Sequence, residues 1–294
     1  MSKKSSSLRP RGEDASATAT SRCWLNGTFD LHVHAAPDVV PRKLDDLELV
    51  HAAASAGMHG FLLKSHHGST VERAYLLNRI EPRTVVAGGV TLNEPVGGLN
   101  PAAVETAIRL GARCIWMPTQ SAANHKRHKN KAGVGLSVLT EEGQLAPAVR
   151  EILDLIAAAD VLLATGHLDT TEVRALARAA RRAGLSRILI SHVELDEISM
   201  PLDVQLELAR LGCYIEHSLI AMYRVGGSVP FATIADNIRG VGPDSCVITT
   251  DFGQPEQPDP PAGLARFIEK LAEHGFGPDA IAKMARTNPR QLVS

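Results

Sequence analysis

Eight short β-rich runs alternate with Ala/Leu-rich stretches, and this alternation constrains the fold more than any other feature. The runs lie at 28–34, 60–66, 84–91, 113–118, 161–166, 188–193, 212–217 and 246–251. Between most of them lie helix-like segments, such as "LDDLELVHAAASAG" at 44–57 and "TTEVRALARAARRAG" at 170–184. Gly57, Gly111, Gly184 and Gly212 stand where such helices would stop before the next strand, a position that favours left-handed backbone. Alternating strands and helices imply parallel strands joined by right-handed crossovers. Eight such units in 294 residues predict an α/β chain folded as one closed (β/α)8 TIM barrel over 23–294. An open doubly wound sheet is the alternative. It would bring a Gly-rich phosphate turn after the first strand, where this chain has histidines.

The remaining segments narrow the setting. Residues 1–22, "MSKKSSSLRPRGEDASATATSR", are polar and lack the apolar core of a secretory signal, so a disordered tail is expected there. A formal net charge of −1 points to neither nucleic acid nor a membrane surface as partner. No apolar run approaches the roughly 18–20 residues of a membrane-spanning helix. Cys114, Cys213 and Cys246 lie in strand-like runs and, with Cys23, form no Cys-x-x-Cys pair. Buried reduced thiols and a cytoplasmic location are the expectation.

Chemistry gathers at the strand ends. The first run reads "FDLHVH", and alternation along a strand puts His32 and His34 on one face, with Leu31 and Val33 opposite. The second, "FLLKSHH", supplies Lys64, His66 and His67, with Lys64 and His66 on one face. The fifth ends in His167, the sixth carries His192 and the eighth ends in Asp251. One strand-end histidine is usually structural, but a barrel brings all these ends to one mouth. Imidazole and carboxylate donors suit zinc, iron or manganese.

The ordered set "FDLHVHAAPD", "ATGHLD", "ISHVE" and "TTDFG" resembles the amidohydrolase superfamily. Barrels of that family carry His-x-His on strand one, histidines on strands five and six, and an aspartate on strand eight. The closing "NPRQLV" at 288–293 is also similar, and the resemblance covers 28–294. It implies a metal site of His32, His34, His167, His192 and Asp251 holding one or two divalent ions, zinc first, with manganese and iron as alternatives. The departure lies at strand four, "RCIWMPT", which lacks the bridging lysine or glutamate of many two-metal relatives. Glu94 is a late substitute. Lys64 either takes the bridging role as a carbamate, which first needs a neutral amine, or stays protonated and holds an anionic substrate group.

The implied chemistry is a metal-activated water attacking a carbonyl, with Asp251 as general base turned acid. His192 and His66 are candidates for supporting the oxyanion, and His192 could equally be a plain ligand. A long connection, 119–147, is placed to cover the mouth and holds the basic run His125-Lys126-Arg127-His128-Lys129-Asn130-Lys131. Folded inward, His125, Arg127 and His128, with Arg224 and Tyr223 after strand seven, would favour a carboxylate-bearing substrate. A metal-dependent hydrolase of a small, anionic amide, cyclic amide or lactone is therefore expected. Ring deamination or non-oxidative decarboxylation on the same scaffold is the alternative. A non-catalytic metal-binding barrel is the alternative of another class, and a general base at Asp251 argues against it. Homo-oligomerisation is left open.

Overall fold

The barrel begins with Phe29–Val33 (β1) and proceeds through Gly60–Leu63 (β2) to a third strand, β3, in two pieces, Val85–Ala87 and Gly89–Thr91. Cys114–Trp116 (β4), Leu162–Ala164 (β5), Ile188–Ile190 (β6), Tyr214–Ser218 (β7) and Cys246–Thr249 (β8) complete it. A computed structural model describes residues 24–294; the tail expected at 1–22, together with Cys23, lies outside the described residues. Every neighbouring pair from β1 to β8 is parallel. Closure comes from the last strand returning to the first: Asp251 N donates to His32 O at 2.9 Å, and His34 N to Phe252 O at 2.8 Å. Asp30 reinforces this seam, its Oδ2 accepting the Thr250 hydroxyl at 2.6 Å.

The helices between and directly after the strands are Asp46–Ser55 (α1), Val71–Ile80 (α2), Pro101–Leu110 (α3), Ala123–His128 (α4), Pro147–Ala159 (α5), Thr170–Arg182 (α6), Leu202–Arg210 (α7), Phe231–Val241 (α8) and Pro260–Glu273 (α9). Capping boxes start two of them, Asp45 with Glu48 and Asp169 with Glu172, so orphan amide donors are satisfied locally. Gly57, Gly111, Gly184 and Gly212 all have positive φ, as the sequence predicts. Among the described residues no helix is long and apolar enough to cross a membrane. Cys114, Cys213 and Cys246 are buried and free.

Two apolar layers follow from strand alternation. Phe29, Leu31, Leu62, Ala87, Cys114, Trp116, Leu162, Ala164, Leu189 and Val247 fill the barrel interior, with Leu292 packed against them. Val33, Phe61, Leu63, Ile115, Leu163, Ile190, Ile215 and Ile248 face the helices. Leu31 thus departs from the expected outward direction. The β1–β2 register shifts between Asp30 and Val33, and this irregularity places Leu31 inside while His32 also faces inward and Val33 outward.

Large side chains inside need small ones opposite. A Cβ on Gly89 would meet Cys114 O at 2.2 Å and the Trp116 ring at 2.8 Å. Gly89→Ala must therefore push strands apart, and should destabilise the protein by roughly 3 kcal/mol in urea unfolding, the upper part of the overpacking range. A buried ion pair supports the outer layer: His217 on β7 meets Glu194 Oε1 at 2.7 Å, and Asn237 on α8 donates to that same oxygen at 3.0 Å. Burial opposes charge on His217, but Glu194 and Cys246 outweigh it and raise its pKa from 6.5 to about 10. Because the folded value is the higher one, the pair's contribution is complete below pH 6.5 and is lost as pH rises toward about 10. Wild-type stability measured across that interval should show a decline that His217→Gln lacks.

Candidate metal centre

Three strand ends deliver the donor atoms. His32 Nε2 and His34 Nε2, from β1, each lie 3.1 Å from Asp251 Oδ1, just past β8. His192, just past β6, brings its ring within 4.6 Å of the His32 ring. One donor atom from each of His32, His192 and Asp251 lies within 4.8 Å of the others. His192 and Asp251 have φ of 55° and 54°, left-handed backbone that costs an L residue about 1–3 kcal/mol and clusters at functional sites.

Hydrogen bonds behind these rings decide which nitrogen faces the centre. His32 Nδ1 meets Glu216 Oε1 at 2.9 Å, and His192 Nδ1 meets Ser218 Oγ at 3.1 Å. Such bonds fix ring and tautomer; His32 Nε2 becomes available to a cation when it gives up the proton it shares with Asp251 Oδ1. His192 Nε2 is buried with no hydrogen-bond partner among the described residues. A lone pair left so is costly unless something occupies it, and the donor set of two imidazoles and a carboxylate fits a zinc-like ion. His34 behaves differently. Its Nδ1 lies 3.3 Å from Arg42 Nη2, which can only donate, so its neutral ring carries the proton on Nε2 and gives it to Asp251. In this arrangement His34 orients the carboxylate.

Burial lowers the pKa of His34 to about 3 and of His192 to about 4, keeping both rings neutral at pH 7. For Asp251 burial would raise the value, yet the His32 charge and hydrogen bonds from His32 and His34 hold it well below the ordinary carboxylate range. Glu216 is likewise raised by burial but brought down to about 2 by His192 and His32. Lys64 is buried with Nζ 3.0 Å from His32 Nε2, and desolvation lowers its pKa. Burial thus shifts Lys64 in the direction the bridging role needs, toward the neutral amine. Glu94 is instead paired with Lys126 at 2.6 Å, its side chain 57% exposed.

His66 stacks on His34 with ring centroids 4.9 Å apart. Its tautomer follows from a relay. Asn93 Oδ1 accepts from Thr119 N and Ser121 N, so Asn93 Nδ2 donates to Thr119 Oγ1 at 2.8 Å. The Thr119 hydroxyl then donates to His66 Nδ1 at 2.9 Å, leaving the His66 proton on Nε2. Burial keeps this ring well below its ordinary pKa.

His167 joins a second group: its Nδ1 faces His125 Nδ1, and both approach Glu197. The basic run is matched by acids from neighbouring loops. Lys126 meets Glu94, Arg127 lies 3.6 Å from Asp169, His128 is 2.9 Å from Asp196, and Lys129 is 3.2 Å from Glu197. Arg127 and His128 are therefore engaged at the rim. Tyr223 packs edge-on against Phe252. The Arg224 side chain lies outside the described residues. Sequence reasoning missed Glu216 and Glu197. An acid inside the apolar run "CYIEHS" was a signal for Glu216; Glu197, in a polar loop, carried none. A cavity of about 730 Å³ lined by His59, Arg113, Arg286 and Arg290 lies at the opposite end of the barrel, away from these groups.

Solved structures with this architecture include an amidohydrolase from Pseudomonas aeruginosa, 13% identical with a TM-score of 0.67, covering 93% of this chain and 97% of that one. A lactonase from Listeria monocytogenes is 13% identical with a TM-score of 0.60, covering 92% and 95%. A 2,6-dihydroxybenzoate decarboxylase from Rhizobium is 17% identical with a TM-score of 0.52, covering 91% and 99%. Identities this low show a shared fold, the TIM barrel of amidohydrolase-type proteins. No curated protein matches the sequence. With its first six strands and part of the seventh spanned by the family match at residues 27–216, the chain belongs to a family of unknown function, DUF6282.

Proposed function

We propose that the protein is a metal-dependent hydrolase that cleaves a small amide, cyclic amide or lactone at the mouth of its barrel, with zinc the preferred ion. The observation that carries this reading is Asp251, an ionised carboxylate held beside three imidazoles at the end of β8. A site that only stored metal would need no carboxylate oxygen left over to take a proton, and Asp251 Oδ2 is such an oxygen. The fold shared with an amidohydrolase and a lactonase supports the same reaction class.

When bound, a divalent ion polarises a carbonyl and lowers the pKa of water from about 15.7 toward roughly 7. His32, His192 and Asp251 would hold it, with Glu216 and Ser218 fixing the two rings from behind. Asp251 Oδ1 is taken up by His32 and His34, whereas Oδ2 lies 3.9 Å from His192 Nδ1. Oδ2 is thus the atom that accepts a proton from water and returns it to the leaving nitrogen or oxygen. His66, with its proton on Nε2, serves as a neutral donor to the developing oxyanion. A neutral donor suits this role, because it stabilises negative charge without bringing a desolvated cation into the buried site.

A screen of amides, cyclic amides, lactones and carboxylic acids with the zinc-loaded protein tests the proposal. Carbon dioxide release from an aromatic acid, with no amide or lactone opened, overturns it in favour of decarboxylation. Once a substrate is found, Asp251→Asn keeps size and one ligating oxygen but removes the basic carboxylate. Its kcat should fall by about 10²–10⁴-fold while metal content drops only modestly. Near-normal turnover with metal retained removes Asp251 from the mechanism.

A further inference from the structure

Beside the first centre, and independently of any hydrolytic role, a second set of donor atoms meets at one point. His125 on α4 and His167 after β5 bring their Nδ1 atoms to 2.9 Å. Glu197 Oε1, from the loop after β6, lies 3.0 Å from the first and 3.4 Å from the second. The three side chains are 8%, 9% and 4% exposed.

Hydrogen bonding does not account for all three edges. If His167 donates its Nδ1 proton to His125, the His125 lone pair is used as an acceptor, and its Nδ1 has nothing to offer the carboxylate 3.0 Å away. If His125 donates to Glu197, the His167 lone pair is left to share that one proton at an angle. A cation at the centre of the triangle takes all three lone pairs together. Tetrahedral zinc with bonds of about 2.0–2.1 Å has ligand–ligand edges of about 3.3 Å, and the observed edges run from 2.9 to 3.4 Å.

We propose that His125, His167 and Glu197 form a second metal site, for a divalent ion of the zinc class, separate from the one on His32, His192 and Asp251. The surroundings are built for it. Lys129 holds Glu197 Oε2 at 3.2 Å, leaving Oε1 as the single donor oxygen. Asn124 Nδ2 donates to His167 O at 3.2 Å and to Glu197 O at 2.8 Å, fixing two ligand-bearing backbones before any ion arrives. Such an ion fastens α4, and with it the basic run, to the ends of β5 and β6. Three protein ligands leave a fourth position for water.

The test counts ions. Chelator-stripped protein is refilled with zinc, freed of excess, and assayed by elemental mass spectrometry, with cobalt as a spectroscopic substitute. Wild type should hold two ions. His125→Gln/Glu197→Gln should hold one, as should His32→Ala/Asp251→Asn, and the cobalt absorption bands of the two single-site proteins should differ. Each single substitution in the new site should weaken its ion by at least about 100-fold, since loss of an outer partner alone costs about 10–100-fold. A folded His125→Gln/Glu197→Gln protein holding as many ions as wild type overturns the proposal. One ion in wild type, kept by His32→Ala/Asp251→Asn and lost by His125→Gln/Glu197→Gln, upholds it while removing the first centre. Should a variant fail to fold, anomalous scattering at the zinc edge from wild-type crystals decides: a peak within the triangle upholds the site, and its absence overturns it.

Discussion

A parallel barrel exists only if its last strand comes home to its first, and in this chain the seam that achieves closure is also what assembles the chemistry. The amide of Asp251 donates to the carbonyl of His32, and the amide of His34 to the carbonyl of Phe252. Side chains almost 220 residues apart in sequence are thereby fixed face to face by backbone bonds rather than by their own attraction. The buried Asp30, which accepts from Thr250 N and Oγ1, locks the same register one step below. Everything above the seam inherits its precision: the His34–Asp251 bond, the contact of Lys64 with His32, and the reach of Glu216 across to His32.

Much of this was legible in the sequence because it is periodic. Strand–helix alternation and the glycines after the helices depend on local conformational preferences, so the barrel and the identity of its strand ends could be read directly. Leu31 was misread because the shift in β1 lies in the pairing with β2, and no alternation pattern encodes a partner strand's register. Nitrogen-by-nitrogen roles were hidden for a similar reason. His34 and His32 are equivalent as letters, but Arg42 behind one and Glu216 behind the other give their rings opposite parts. Glu197 could not be found at all, because its importance comes from Asn124 and His125 lying above it, a relation between two loops with no periodicity.

Charge in the long 119–147 connection shows how composition misleads at the scale of a loop. A basic run in a nearly neutral chain invites an anionic ligand. Here Glu94, Asp169, Asp196 and Glu197, from three other strand-end loops, already face it. The more exposed of these pairs, Arg127–Asp169 and His128–Asp196, contribute little individually, typically about 0–1 kcal/mol each. Their effect is orientational: they choose which way the segment lies on the barrel, and so place His125 beside His167.

The left-handed backbone at His192 and Asp251 has a consequence for the history of such a molecule. Glycine would sit there without strain, and each replacement would relieve part of about 1–3 kcal/mol. Selection for backbone relaxation alone would therefore drift toward glycine at both positions and erase the imidazole and the carboxylate proposed as ligand and base. Lineages in which these two side chains persist are lineages in which something other than backbone relaxation was being selected.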